Sequence, residues 1–165
     1  MNLADEVIEK NKIPNVVIEK NKISKISPLF SEYLLTGYKT DNVKIVDYDY
    51  TPAQSNHLGK LDLNLRITDC YMSKDIGFFL SSITAEVWVQ QASIILIHLH
   101  SHLSVKSKEV ILLERSTTYN KFINSKDINI STTIINKSPH SKYELYELLV
   151  NVNQDSMVGT IKGLL

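Results

Sequence analysis

The sequence predicts an α+β domain in which one antiparallel sheet wraps a single long central helix. Three observations predict it. Residues 61–68 alternate strictly between apolar and polar side chains; the segment from Ile76 to Leu99 is the most apolar in the chain and contains no proline; and four further alternating segments follow it, separated by turn-rich breaks. With 165 residues, 43% hydrophobic and 22% charged, the chain has the size and balance of one folded domain.

The first 25 residues are expected to be an extension. VIEKNKI at Val7–Ile13 recurs at Val17–Ile23 and then stops, whereas a solenoid needs several stacked repeats. The domain proper is expected over residues 26–165. Ser27 and Pro28 are suited to cap and open a short helix through Thr36, with Gly37 placed to end it. VKIVDYDY and GKLDLNLRIT then read as two half-buried strands. In the second, Leu61, Leu63, Leu65 and Ile67 share one face and Asp62, Asn64, Arg66 and Thr68 the other.

The apolar segment Ile76–Leu99 is too long for a strand. Phe79, Ile83 and Val87 recur at helical spacing, and Ser82, Glu86 and Gln90 form a polar line. Its serines, glutamines and Glu86 exclude a membrane span. EVILLERSTTYN, DINISTTIINK, KYELYELLVNVN and MVGTIKG complete the chain as four strands expected to be joined by hairpins. A buried helix among these strands must lie in the concave side of one curved sheet.

Lys plus Arg (18) balances Asp plus Glu (18), so there is no field for a polyanion, and nucleic acid is not an expected partner. Cys70 has no second cysteine to pair with, and MNLADEVIEK has acids where a secretory signal needs a basic end; the expected compartment is the cytoplasm.

Several residues in this frame could carry chemistry. Gly77 is expected at the helix start, where unpaired N–H groups and the dipole could polarise a carbonyl, or where it simply permits close packing. Glu86, the one carboxylate within the long apolar segment, is either a general acid or base or a helix carboxylate paired with a cation such as Arg115. Asp75 favours the helix dipole whether or not it binds substrate. His98, His100 and His102 have alternating spacing, but no carboxylate or thiol completes a metal shell, and imidazoles at a helix C-terminus favour its negative pole; no metal or cofactor is expected. Cys70 reads as a buried thiol.

From Ile26 to Leu99, and more loosely to Gly163, the chain resembles the FcoT-type acyl thioesterases and the ScoD-type enzymes that act on carrier-bound enoyl groups. The similarity lies in Tyr33 within SEYLLTG, the strand GKLDLNLRI, Tyr71 shortly before GFF, and Gln90. It implies a hot-dog fold, a homodimer or higher homo-oligomer, and an acyl thioester of coenzyme A or of an acyl carrier protein as substrate. It further implies that Tyr33 and Tyr71 donate phenolic hydrogen bonds, that Gln90 orients a water, and that Asp75, Gly77, Phe78 and Phe79 line the substrate site. The chain departs from the pattern at Phe78 and Leu80, since Gly77-Phe78-Phe79-Leu80 stands where Gly-His-Phe-Asn is the family run, and at Val89, where Asn precedes the Gln. The implied activity is thioester hydrolysis. Hydration, dehydration or conjugate addition at a 2-enoyl thioester, and a non-catalytic acyl- or protein-binding module, remain open.

Overall fold

The computed structural model describes Leu29 and residues 43–67, 72–73, 77–105 and 108–165. The expected extension, the helix over 28–36, Tyr33, Cys70, Tyr71 and Asp75 lie outside the described residues. The elements run β1 (Val43–Gln54), β2 (His57–Ile67), β3 (Met72–Ser73), β4 (Gly77–Phe78), α1 (Ser82–His100), β5 (Ile111–Tyr119), β6 (Asp127–His140), β7 (Tyr143–Val152) and β8 (Met157–Leu164).

Six strands form one antiparallel sheet in the order β1-β2-β6-β7-β8-β5, and β3 pairs with β4 in a separate ribbon. The alternation in β2 settles its faces: Leu61, Leu63, Leu65 and Ile67 are buried, while Arg66 is exposed. Ile128, Ile130 and Ile134 on β6 and Leu148, Val150 and Val152 on β7 continue that apolar floor. Helix α1 lies across it, against β6, β2 and β7. Ala85, Trp88, Val89, Ala92, Ile95 and Leu96 supply the buried face.

A helix this rich in β-branched residues has modest propensity of its own, so burial under the sheet and satisfied polar groups sustain it. Ser93 donates from Oγ to the carbonyl of Val89 at 2.8 Å, and His98 Nδ1 sits 2.8 Å from the carbonyl of Ile94.

Three strands carry one extra residue each, between Ile45 and Asp47, between Leu112 and Glu114, and between Ile134 and Asn136. The inserted residues Val46, Leu113 and Ile135 are all exposed. Bulges increase local bend and twist, which is what a sheet needs to curl round a helix. On β1 the outward Val46 thereby leaves Ile45, Tyr48 and Tyr50 against the core.

Two expectations need correction. The helix does not begin at Gly77. Ser81 is the N-cap, its Oγ accepting from the Thr84 N–H at 3.1 Å, and Gly77 and Phe78 lie in β4. The last four strands are also not all joined as hairpins. β6–β7 and β7–β8 are adjacent, but β5 crosses to the far edge and pairs with β8. An edge position suits β5, whose side chains are mostly exposed, whereas β6 and β7 have an apolar face to bury.

Candidate active site

Strand alternation places Arg115, Thr117 and Tyr119 on one face of β5. Their register partners on β8 are Ile161, Gly159 and Met157, of which Ile161 and Met157 are buried, so this is the concave face. All three converge on Glu86 in the second turn of α1. Thr117 Oγ1 and Tyr119 Oη each donate to Glu86 Oε1 at 2.8 Å, and Arg115 Nη1 forms an ion pair with Oε2 at 2.8 Å. Tyr119 Oη also lies 3.3 Å from the Ser82 carbonyl, one helical turn before Glu86.

Two features bring strand and helix together. Ser82 and Glu86, four residues apart, share a helix face. Gly159, opposite Thr117, lets β5 approach β8 closely: a Cβ there would stand 2.4 Å from the Ser116 carbonyl oxygen. The Glu86 side chain is 14% exposed and Arg115 39%, so the pair is partly screened by solvent. Burial, and then the Glu86 acceptor, push the Tyr119 phenol well above its usual range, leaving its hydroxyl a donor.

Beside this cluster a cavity of about 410 Å³ opens between the start of α1 and the segment that leads from β5 to β6. Phe79, Leu80, Ala85, Phe122 and Ile123 give it an apolar wall, with Tyr119 between that wall and Glu86. A hydrogen bond from the Leu80 N–H to the Ile123 carbonyl, 2.8 Å, ties its two sides together. Mostly apolar clefts of this size with few polar groups are the usual form of small-ligand sites.

Phe79 thus lines the cavity, Glu86 is hydrogen-bonded to Tyr119 of the same lining, and Gln90 is half-buried one turn beyond Glu86 on the helix. Both expectations for Glu86 touch this geometry: it is paired with Arg115, and it stands next to an apolar cavity. Gly77 and Phe78 belong to β4, ahead of the Ser81 cap in the chain. Val89 is fully buried on the core side, so the apolar residue at that position adjoins the sheet instead of the open stripe. Of the residues recurring at helical spacing, Ile83 is 68% exposed on that open stripe, whereas Val87 is partly buried against the core. His98 is buried with its ring nitrogens against the carbonyls of Ile94 and Lys108, and His100 packs edge-on against Tyr146. Among the described residues no three His, Cys, Asp or Glu side chains group as a metal shell.

Thr117 and Tyr119 were not singled out by the sequence. No local signal marks them: Glu114 to Tyr119 are polar or amphipathic on both faces, so alternation does not show which members turn inward.

No family model matches the chain, and no curated protein sequence does. Among solved structures, it is similar to a putative thioesterase from Shewanella oneidensis, with a TM-score of 0.52 at 10% identity over 86% of this chain and 95% of that one. The chain has the hot-dog fold. Other similar structures are a hypothetical thioesterase with coenzyme A from Streptococcus pneumoniae (TM-score 0.47, 8% identity, 75% of this chain and 85% of that one) and a thioesterase from Haemophilus influenzae (TM-score 0.45, 10% identity, 88% and 92%). In this hot-dog domain the Glu86 cluster and the cavity both lie at the N-terminal end of the central helix. No helix among the described residues is long and apolar enough to cross a membrane.

Proposed function

We propose that this hot-dog protein hydrolyses acyl thioesters of coenzyme A or of an acyl carrier protein, in the cytoplasm and as a homodimer. The observation that carries the reading is a carboxylate, Glu86, held by two hydroxyl donors and an ion pair with Arg115 beside a mostly apolar cavity able to take an acyl chain. In this reading Glu86 takes a proton from a water that attacks the thioester carbonyl, and Gln90, one turn on, orients that water. Phe79 contacts the acyl chain. Tyr33, Tyr71, Asp75, Gly77 and Phe78 are proposed to complete the substrate site, on the strength of the FcoT- and ScoD-type resemblance.

Dimerisation is proposed through β5. Among the described residues it is an edge strand with no strand on its outer side, and Ile111, Leu113 and Tyr119 on it are exposed, as is Ile83 on the neighbouring helix. Pairing two β5 edges would cover these side chains and enclose both cavities.

One observation favours a second reading. Glu86 already holds an Arg and two hydroxyl donors, an arrangement that also serves a non-catalytic acyl-binding module. A panel of saturated and 2-enoyl thioesters, on coenzyme A and on a carrier protein, separates these readings. Free thiol release supports hydrolysis, and a hydrated thioester with no thiol released assigns the site to 2-enoyl chemistry. Acyl binding without turnover of any member assigns it to the binder.

A further inference from the structure

Tyr119 belongs both to the Glu86 cluster and to the cavity wall. A phenol has one proton to donate, and here it points at Glu86 Oε1, 2.8 Å away, with the Ser82 carbonyl at 3.3 Å as a second acceptor. Glu86 does not depend on it alone. Thr117 still donates to the same oxygen and Arg115 still pairs with the other.

We infer that Tyr119 is a catalytic donor that changes acceptor: as an acyl group enters the cavity, its O–H turns from Glu86 to the thioester carbonyl oxygen. The inference rests on the hydrolase reading and adds a residue and a step to it. The exchange has two effects at once. It frees a lone pair on Glu86 Oε1 for the proton of the attacking water, and it places a donor where negative charge develops.

Water oxygen then bonds to the carbonyl carbon, its proton passes to Glu86, and the carbonyl π pair moves onto the oxygen held by Tyr119. Collapse of that adduct breaks the C–S bond, and Glu86 returns the proton to the departing sulfur. The products are a carboxylic acid and a free thiol, and Glu86 is regenerated.

Two further observations agree with a donor that moves. Tyr119 is the last residue of an edge strand and 44% exposed, so its ring can turn without disturbing the core. Its raised phenol pKa keeps the proton on the oxygen throughout the neutral range.

The test compares wild type, Tyr119→Phe and Thr117→Val on the thioester that is turned over fastest, together with binding of the matching thioether, in which CH₂ replaces the carbonyl. Phe at 119 deletes one oxygen from a partly exposed ring, so the fold should survive. The expected result is a fall in kcat of about 100-fold for Tyr119→Phe, the size seen when one oxyanion donor is removed. KM and thioether affinity should stay unchanged. Thr117→Val removes a donor to the same carboxylate oxygen but is not in the cavity wall, and should lose far less. Unchanged kcat in Tyr119→Phe, or equal losses in the two variants, overturns the role of Tyr119 while leaving hydrolysis standing. A wild-type protein that turns over no thioester overturns both.

Discussion

The two ends of α1 carry polar clusters built from similar parts and put to different use. At the N-terminal end, Glu86 gathers Arg115, Thr117 and Tyr119 beside a cavity, on a helix stripe that leaves Ile83 exposed. At the C-terminal end, Tyr146 is fully buried. Its hydroxyl donates to Glu144 Oε2 at 2.9 Å and lies 3.0 Å from Ser101 Oγ, Lys137 pairs with the same carboxylate oxygen at 2.8 Å, and His100 closes edge-on over the ring at 5.8 Å. Ser101 and Leu103 satisfy the last helical carbonyls through their N–H groups, with His102 in the left-handed conformation that ends a helix. None of these groups lines the 410 Å³ cavity. A hydroxyl, a carboxylate and a cation in hydrogen-bond contact therefore do not by themselves mark a site. The apolar space next to them does.

That contrast is broken most severely at Tyr146. Tyr146→Ala should cost about 3–5 kcal/mol of stability, the range for truncating a buried aromatic, as read by chemical denaturation. Turnover per folded molecule should hold; a loss of activity at temperatures where the variant stays folded would mean that the C-terminal cluster takes part in function.

Gly159 tests whether strand placement holds the other cluster together. Gly159→Ala puts a methyl group 2.4 Å from a backbone oxygen of β5, so β5 must shift and carry Thr117 and its neighbours with it. The expected cost is about 1–3 kcal/mol, with a loss of turnover larger than the loss of folded protein. Unaltered activity would show that the donors on β5 are dispensable.

The smallest effect is expected at His100. Burial, and then Lys137, hold its imidazole below its ordinary value. Below pH about 6.5 the unfolded chain binds a proton that the folded chain resists, so stability falls as pH drops from there through the lower folded-state value. Thermal melts from pH 7.5 to 5 should show this decline in wild type and a flatter profile in His100→Gln. Identical profiles would remove His100 from the account.

How much of this was legible in the sequence differs by element. The inward face of β2 was readable because Leu61, Leu63, Leu65 and Ile67 alternate with polar residues, and one register buries them all. The existence of α1 was readable from its length, but its start was not, because residues 76–81 are nearly as apolar as the helix and the Ser81 cap looks like any other serine of the segment. Its buried face was not readable for the same reason: with apolar residues on every side, periodicity does not separate the exposed Ile83 from the buried Val89 and Ala92. The far-edge position of β5 is a non-local pairing that no local pattern encodes. Glu114 to Tyr119 are all polar or amphipathic, so period two is invisible there, and only the fold reveals that alternate members face Glu86. Glu86 itself stood out because a carboxylate in an apolar segment needs partners, and Arg115 was the partner named.

The most direct test is thioester turnover by wild type and Glu86→Gln, using the preferred member of the acyl panel. Glutamine keeps the size of the side chain but cannot accept the proton of the attacking water. A fall in kcat of at least about 100-fold, with the folded state retained, is predicted for the loss of a general base. Turnover that is unaffected by the substitution would contradict the central claim that the N-terminal end of α1 is the catalytic site.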